Sequence, residues 1–271
     1  MTIDTELLQR LERLALDAGR VTLDAFREGC AVESKPDDSP VTWADRESER
    51  IILKELAAIR PEIPVVSEEA ASAGILPDAL PGEFFLVDPL DGTREFVNAR
   101  PDFTVNIALV RGGAPVLGVV YAPARGELYS GRPGHAFRYA VAEDFSVAAP
   151  VSIHVRDAGE TPAVVASYSH RTEETDRFIA RFPQAECVSV GSSLKFCIIA
   201  RGGADIYPRF GRTMQWDTAA GDAVLRAAGG MTLTPDGRPL TYGLREGKGT
   251  ERIVNPWFIA TSGRINYPPV E

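Results

Sequence analysis

Cysteine and histidine are both scarce, with three of each in 271 residues. Cys30, Cys187 and Cys197 are odd in number and show no CxxC spacing. That argues against a disulfide framework and a thiolate zinc site, and fits a reducing cytoplasm. His135, His154 and His170 follow no ligand spacing either, which disfavours zinc. No apolar run approaches the ~18 residues that span a bilayer. The N-terminus is already charged at Asp4 and Glu6, unlike a signal peptide. Positive charge is also in short supply: 29 Lys and Arg against 38 Asp and Glu leave a formal charge of -9. Such a surface repels phosphate backbones, so nucleic acid is not expected as a partner. What is present is the balance of a soluble, cytoplasmic globular protein, 44% hydrophobic and 25% charged. Its length corresponds to about 1.8 domains of ~150 residues each.

Leu7, Leu11, Leu14, Ala18, Val21 and Ala25 recur every three or four residues, which predicts a helix over 5–27 stopped by Gly29. The stretch Lys35-Pro36-Asp37-Asp38-Ser39-Pro40 reads as a loop, and a second helix is predicted from Trp43 to Arg60. A strand at Val65-Val66 runs into Ser67-Glu68-Glu69, and Glu83–Val87 reads as a buried strand. A meander follows at 103–110, 115–121 and 127–130. Beyond about residue 145, strands near 151–155, 163–167, 186–190, 204–207 and 253–260 alternate with helices near 172–182, 192–201 and 217–228. The expected fold class is α/β overall: an α+β half over 1–147 with antiparallel pairing, and an α/β half over 148–271.

The most informative segment is Phe84-Phe85-Leu86-Val87-Asp88-Pro89-Leu90-Asp91-Gly92-Thr93. A strand delivers Asp88, Pro89 fixes the backbone, Asp91 follows, and a short helix opens at Thr93. Two carboxylates and the Leu90 carbonyl can then converge on one point. Such hard oxygen donors suit Mg²⁺, and N–H groups at a helix start suit phosphate. Read locally, the same residues are an Asp-Pro turn followed by an N-cap. Glu68 and Glu69 read locally as solvated surface, Asp217 as an N-cap, and Asp45, three residues after Thr42, as half of a capping box. A metal ligand can also serve as a cap, so these readings coexist.

The run Asp88-Pro89-Leu90-Asp91-Gly92-Thr93, preceded by Ser67-Glu68-Glu69 and followed by Trp216-Asp217-Thr218-Ala219-Ala220-Gly221, resembles the inositol monophosphatase-like superfamily of Mg²⁺-dependent, lithium-sensitive phosphatases. The resemblance implies a layered αβαβα sandwich and two to three Mg²⁺ ions. Glu68, Asp88 and the Leu90 carbonyl would hold one ion, and Asp88, Asp91 and Asp217 a second. A third, loosely bound ion would sit near Glu68. Asp45 would hold water or substrate, Thr93 would orient the attacking water, and Gly92 would lie against the phosphate.

Gly191-Ser192-Ser193-Leu194-Lys195-Phe196 reads as a loop entering a helix, either a second anion site or a Ser cap with a surface lysine. Arg209 after a strand and His170 at a strand end are each ordinary surface residues when taken alone. Together, Ser167-Tyr168-Ser169-His170, Ser192-Ser193-Leu194-Lys195-Phe196-Cys197, Tyr207-Pro208-Arg209-Phe210-Gly211 and Phe103-Thr104-Val105-Asn106-Ile107 resemble the 3′(2′),5′-bisphosphate nucleotidase branch. That branch hydrolyses adenosine 3′,5′-bisphosphate to AMP. It would place Ser192, Lys195 and Arg209 on the ribose and 5′-phosphate, and His170 on the adenine. Tyr168, where arginine is common, and a longer loop over Ala70–Gly82 depart from its pattern. Rival readings are a phosphatase for inositol monophosphate, histidinol phosphate or a sugar phosphate, and a non-catalytic metal or nucleotide sensor. A homodimer is a further expectation, since members of the superfamily are often dimers.

Overall fold

The computed structural model describes residues 3–34, 40–158, 161–167 and 171–263. The chain runs α1 (Ile3–Glu28), β1 (Val32–Ser34), β2 (Pro40–Thr42), α2 (Trp43–Ile59), β3 (Val65–Ser67), α3 (Glu68–Ser72), β4 (Glu83–Asp91) and α4 (Thr93–Val97). A meander follows: β5 (Thr104–Arg111), β6 (Ala114–Ala122), β7 (Glu127–Arg132), β8 (His135–Ala140) and β9 (Val151–Ser152). The remainder is β10 (Val164–Ala166), α5 (Glu173–Ile179), β11 (Cys187–Ser189), α6 (Leu194–Ala200), β12 (Ile206–Arg209), α7 (Ala219–Ala227), β13 (Met231–Leu233) and β14 (Phe258–Thr261). The predicted loop at 35–39 lies outside the described residues.

Two sheets carry the fold. Strands β3 to β9 form a seven-stranded sheet in chain order, antiparallel except where β3 runs parallel to β4. The second sheet has the order β11-β10-β12-β14-β13, parallel around β10 and antiparallel at β14. Alternation along β5 shows how the layers arise. Val105, Ile107 and Leu109 face Leu7, Leu11, Leu14, Ile52 and Leu56 of α1 and α2. Ala108 and Val110 face the opposite way, toward Phe196, Ile199, Ala220 and Val224 of α6 and α7. Each fully buried aliphatic side chain stabilises the fold by about 1.5–3 kcal/mol. The far side of the second sheet packs Val164, Ile206 and Ile259 against Phe178 of α5. The layers are therefore α1/α2, sheet, α6/α7, sheet and α5, the αβαβα sandwich expected from the sequence.

Glycine sets the depth of the central layer. A Cβ on Gly118 of β6 would come within 2.4 Å of the Ala220 carbonyl, and one on Gly131 of β7 within 2.8 Å of Val224 Cα. Helix α7 thus lies directly on the sheet backbone.

Several elements differ from the sequence reading: β1, β2, α3 and β13 are additional to it, and the strand expected near 253–260 is confined to Phe258–Thr261. Strand β4 continues four residues past Val87, through Asp91. Strand β8 was not foreseen, because its residues alternate poorly in hydrophobicity. Strand β9 pairs with β8 at the edge of the first sheet rather than alternating with the second-half helices.

Candidate active site

Asp88 pairs with Asn106 across the β4–β5 ladder and Asp91 pairs with Thr104, so three steps on β4 oppose two on β5. The extra residue is a β-bulge, a place where Pro89 costs no ladder hydrogen bond. In a regular strand, residues three apart point to opposite faces. The bulge brings Asp88 and Asp91 to the same face, the one that meets α6 and α7. Asp217 arrives there from the segment entering α7, and Glu68 from the first residue of α3.

The resulting cleft of about 270 Å³ is lined by Glu68, Asp91, Gly92, Thr93, Ser192, Lys195, Arg209 and Asp217, among others. Asp88, 1% exposed, lies buried within electrostatic reach of Glu68, Asp91 and Asp217. Leu90 N–H donates to Asp88 Oδ1 at 3.1 Å, and the Asp88 carboxyl shares a hydrogen bond with Glu68. Burial first, then repulsion from Glu68, Asp91 and Asp217, pushes Asp88 well above the usual carboxylate range. Burial, Asp91 and Glu68 do the same to Asp217, whose Oδ2 accepts from Met214 N–H at 2.8 Å. Asp91 is raised more mildly: burial raises it, while the Lys195 ammonium and Ser193 lower it.

Two carboxyls sharing a proton inside a four-carboxylate cluster form a donor set that fits a divalent cation. Among the described residues no three acidic, His or Cys side chains are already closed around one point as a cage. A hard divalent cation takes a few carboxylates and completes its coordination with water and phosphate oxygens.

The start of α2 reaches the cleft through Thr93. Asp45 is fully buried and does two jobs at once. Its Oδ2 accepts from the Thr42 N–H at 2.8 Å and the Thr42 hydroxyl at 2.6 Å, closing the helix cap. Its Oδ1 faces the Thr93 hydroxyl at 3.3 Å, and that hydroxyl also lies 3.2 Å from the Leu90 carbonyl. Gly92 takes φ +89°, which frees the backbone to turn from β4 into α4. Two residues not singled out in the sequence sit on the same helix face. Ser48 donates to the Pro89 carbonyl at 2.9 Å, and Glu49 accepts from the Glu69 and Ala70 N–H groups that start α3. Their signal was positional: at three and four residues after Asp45 they continue its buried stripe with polar groups.

The second half contributes the cations. Lys195 is 5% exposed, and its Nζ donates to the carbonyls of Ser192 at 2.5 Å and Val190 at 3.4 Å. Burial pulls its ammonium down to about 8, against the opposing pull of Asp91. Arg209 is also buried and donates from Nη2 to the Arg212 carbonyl at 3.0 Å. Ser192 holds φ +49°, a left-handed conformation uncommon for serine. Asp102, which the sequence reading did not mark, ties this loop down: it accepts from Gly191 N–H through Oδ2 and from Arg125 through Oδ1. His170 and Tyr168 lie outside the described residues. Of the other sequence-predicted residues, the structure gathers Asp45, Glu68, Asp88, Leu90, Asp91, Gly92, Thr93, Ser192, Lys195, Arg209 and Asp217 around this one cleft.

Comparison with known proteins gives a consistent picture. The model of the inositol monophosphatase family matches residues 4–266. The 3′(2′),5′-bisphosphate nucleotidase CysQ of Salmonella typhimurium is 41% identical over 257 residues, covering 94% of this chain and 99% of the relative. The Escherichia coli K12 protein of the same name is 41% identical over 254 residues, covering 93% and 98%. Among solved structures, CysQ from Bacteroides thetaiotaomicron superposes with a TM-score of 0.76 at 36% identity, covering 97% of this chain and 99% of its own. The inositol monophosphatase from Anabaena (Nostoc) superposes at 0.73 with 26% identity, covering 98% and 93%. The sandwich, the bulged acidic strand and this match over nearly the whole chain show that the protein belongs to the inositol monophosphatase family.

Proposed function

We infer that the protein is a metal-dependent phosphoric monoester hydrolase that converts adenosine 3′,5′-bisphosphate to AMP and phosphate. The observation that carries the substrate reading is the pairing of two opposite poles in one cleft. The buried Asp88 with the half-buried Asp91 and Asp217 suits a divalent metal, while the buried cations Lys195 and Arg209 suit a second anionic group away from it. A monophosphate needs only the first pole, whereas a bisphosphate uses both. The nucleotidase names of the 41% identical relatives support the same choice.

Two to three Mg²⁺ ions would be held by Glu68, Asp88, the Leu90 carbonyl, Asp91 and Asp217; when bound, they supply charge neutralisation and a lowered water pKa. The chain's own residues do the positioning. The Thr93 hydroxyl has one proton to give, to Asp45 or to the Leu90 carbonyl, which leaves its lone pairs to accept from a water. Asp45 then takes up the proton released as that water attacks phosphorus. The P–O3′ bond breaks, and the leaving oxygen is protonated from solvent. Ser192, Lys195 and Arg209 would hold the ribose and 5′-phosphate, with His170 against the base. We place the two halves that share this cleft at 1–147 and 148–271, and expect the enzyme to work in the cytoplasm.

The test is phosphate release from adenosine 3′,5′-bisphosphate and from myo-inositol 1-phosphate, each with Mg²⁺, with Mg²⁺ plus lithium, and with chelator. Lithium-inhibited, Mg²⁺-dependent turnover preferring the nucleotide is expected. Preference for the inositol ester would overturn the substrate reading and keep the metal chemistry.

A further inference from the structure

Ser193 connects the two poles of the cleft. It is 1% exposed, and while its carbonyl accepts from Phe196 N–H, its N–H and hydroxyl make three contacts to the acidic wall or its neighbour. Its N–H donates to Asp91 Oδ2 at 2.6 Å. Its hydroxyl donates to the Asp217 backbone carbonyl at 2.6 Å and accepts from Asn106 Nδ2 at 2.9 Å. The same Nδ2 lies 3.3 Å from Asp91 Oδ2. The orientation of the Asn106 amide follows from chemistry. Reversed, its oxygen would face a carboxylate and a hydroxyl whose single proton is committed to Asp217.

Asn106 gives up something for this arrangement. It is fully buried, and its Oδ1 makes no hydrogen bond among the described residues. A buried amide with one unsatisfied end is a poor choice for stability alone. Its position is set by the bulge, since Asn106 is the ladder partner of Asp88 and shares the face of both aspartates.

We propose that Asn106 and Ser193 are positioning residues that lock Asp91, from the first half of the chain, to Asp217, from the second. A metal ion would then meet a preset pair of ligands rather than two independently moving ones. The proposal rests on the metal reading of these carboxylates and not on the identity of the phosphate ester. One hydroxyl spans the join: when Ser193 loses it, the Asn106 amide and the Asp217 carbonyl lose their common partner together.

The test is calorimetric titration of the full-length protein with Mg²⁺ in the absence of any nucleotide. Ser193→Ala keeps the N–H to Asp91 and is expected to weaken Mg²⁺ binding about fivefold or more. Asn106→Leu, of similar volume, is expected to weaken it about threefold, with far-UV circular dichroism unchanged. The double variant should be little worse than Ser193→Ala, because the amide acts mainly through the hydroxyl at 2.9 Å, its direct contact to Asp91 being the longer one at 3.3 Å. The Mg²⁺ concentration giving half-maximal turnover should rise in step. Mg²⁺ affinity within twofold of wild type in both variants would overturn the proposal, as would wild-type protein that binds no Mg²⁺. If Ser193→Ala does not fold, Asn106→Leu alone decides. Wild-type protein that binds Mg²⁺, with weakened variants but no turnover of adenosine 3′,5′-bisphosphate, would sink the substrate reading and leave this one standing.

Discussion

Replacing Asp88 by asparagine should make the metal-free protein more stable while destroying its activity. Asparagine keeps the acceptor for Leu90 N–H and offers a donor where Asp88 now shares a proton with Glu68. It removes one charge from a buried cluster that also contains Asp91 and Asp217. Relief of desolvation and like-charge repulsion is worth roughly 2 kcal/mol. At about 2–4 °C per kcal/mol for a chain of this size, Tm in chelator should rise by about 4–8 °C. The sign with pH follows from the raised carboxyl. Above the ordinary aspartate range the folded state holds the proton more tightly than the unfolded state, so wild-type stability falls as pH rises toward the folded pKa. The advantage of the variant in chelator is therefore larger at pH 8 than at pH 5.5. Metal reverses the ranking: at 100 times its dissociation constant, Mg²⁺ adds about 2.7 kcal/mol to wild type and little to the variant. Differential scanning calorimetry with chelator and with Mg²⁺, at both pH values, reads all three effects. A variant less stable than wild type in chelator, or one that retains the full Mg²⁺ shift, would refute the reasoning.

Other outcomes are as direct. Lys195→Met should raise KM for adenosine 3′,5′-bisphosphate roughly 10–100-fold, the scale of one charge-assisted hydrogen bond, and KM for a nucleoside 3′-monophosphate less than about threefold. Equal effects on both esters would show that Lys195 serves only to hold the Ser192 and Val190 carbonyls. Because burial sets the Lys195 ammonium at about 8, wild-type KM for the bisphosphate should climb as pH passes through 8 and the cation is lost, and the variant should show no such climb. Gly118→Ala should lower Tm by about 4–12 °C, since its methyl would sit 2.4 Å from the Ala220 carbonyl; overpacking of that kind costs about 2–3 kcal/mol. A Tm within 2 °C of wild type would show that α7 can lift from the sheet without loss.

The acidic residues were legible because each sits at a junction marked by its own sequence: Asp88-Pro89 at a strand end, Ser67-Glu68 at a strand–helix step, Asp217 before a run of small residues. The residues that organise them were not. Asn106 lies inside Thr104-Val105-Asn106-Ile107, where one polar residue among apolar neighbours reads as ordinary strand alternation. Its partners are 15 and 87 residues away in the chain. Asp102 reaches Gly191 across 89 residues. Long-range pairings of this kind leave no local period to detect. The helices α1 and α2 were readable to within a residue or two from their 3.6-residue rhythm. The second sheet was harder, because strands of three or four residues carry too little alternation to reveal that β13 and β14 run antiparallel.

The bulge between Asp88 and Asp91 also decides what kinds of sequence change this segment can absorb. Exchanging Leu90 for another apolar residue alters a side chain against Phe96 and Phe103 and leaves the backbone path alone. Removing one residue restores a regular ladder in which Asp91, now two after Asp88, keeps its face, but one of two used carbonyls is lost: that of Pro89, which accepts from Ser48, or that of Leu90, which faces Thr93. Inserting one residue beside the bulge instead drives Asp91 toward the apolar face where Phe85 and Val87 meet α1 and α2. The stretch from Asp88 to Asp91 is thus free in part of its composition and fixed in its length, a constraint written in residue count rather than residue type.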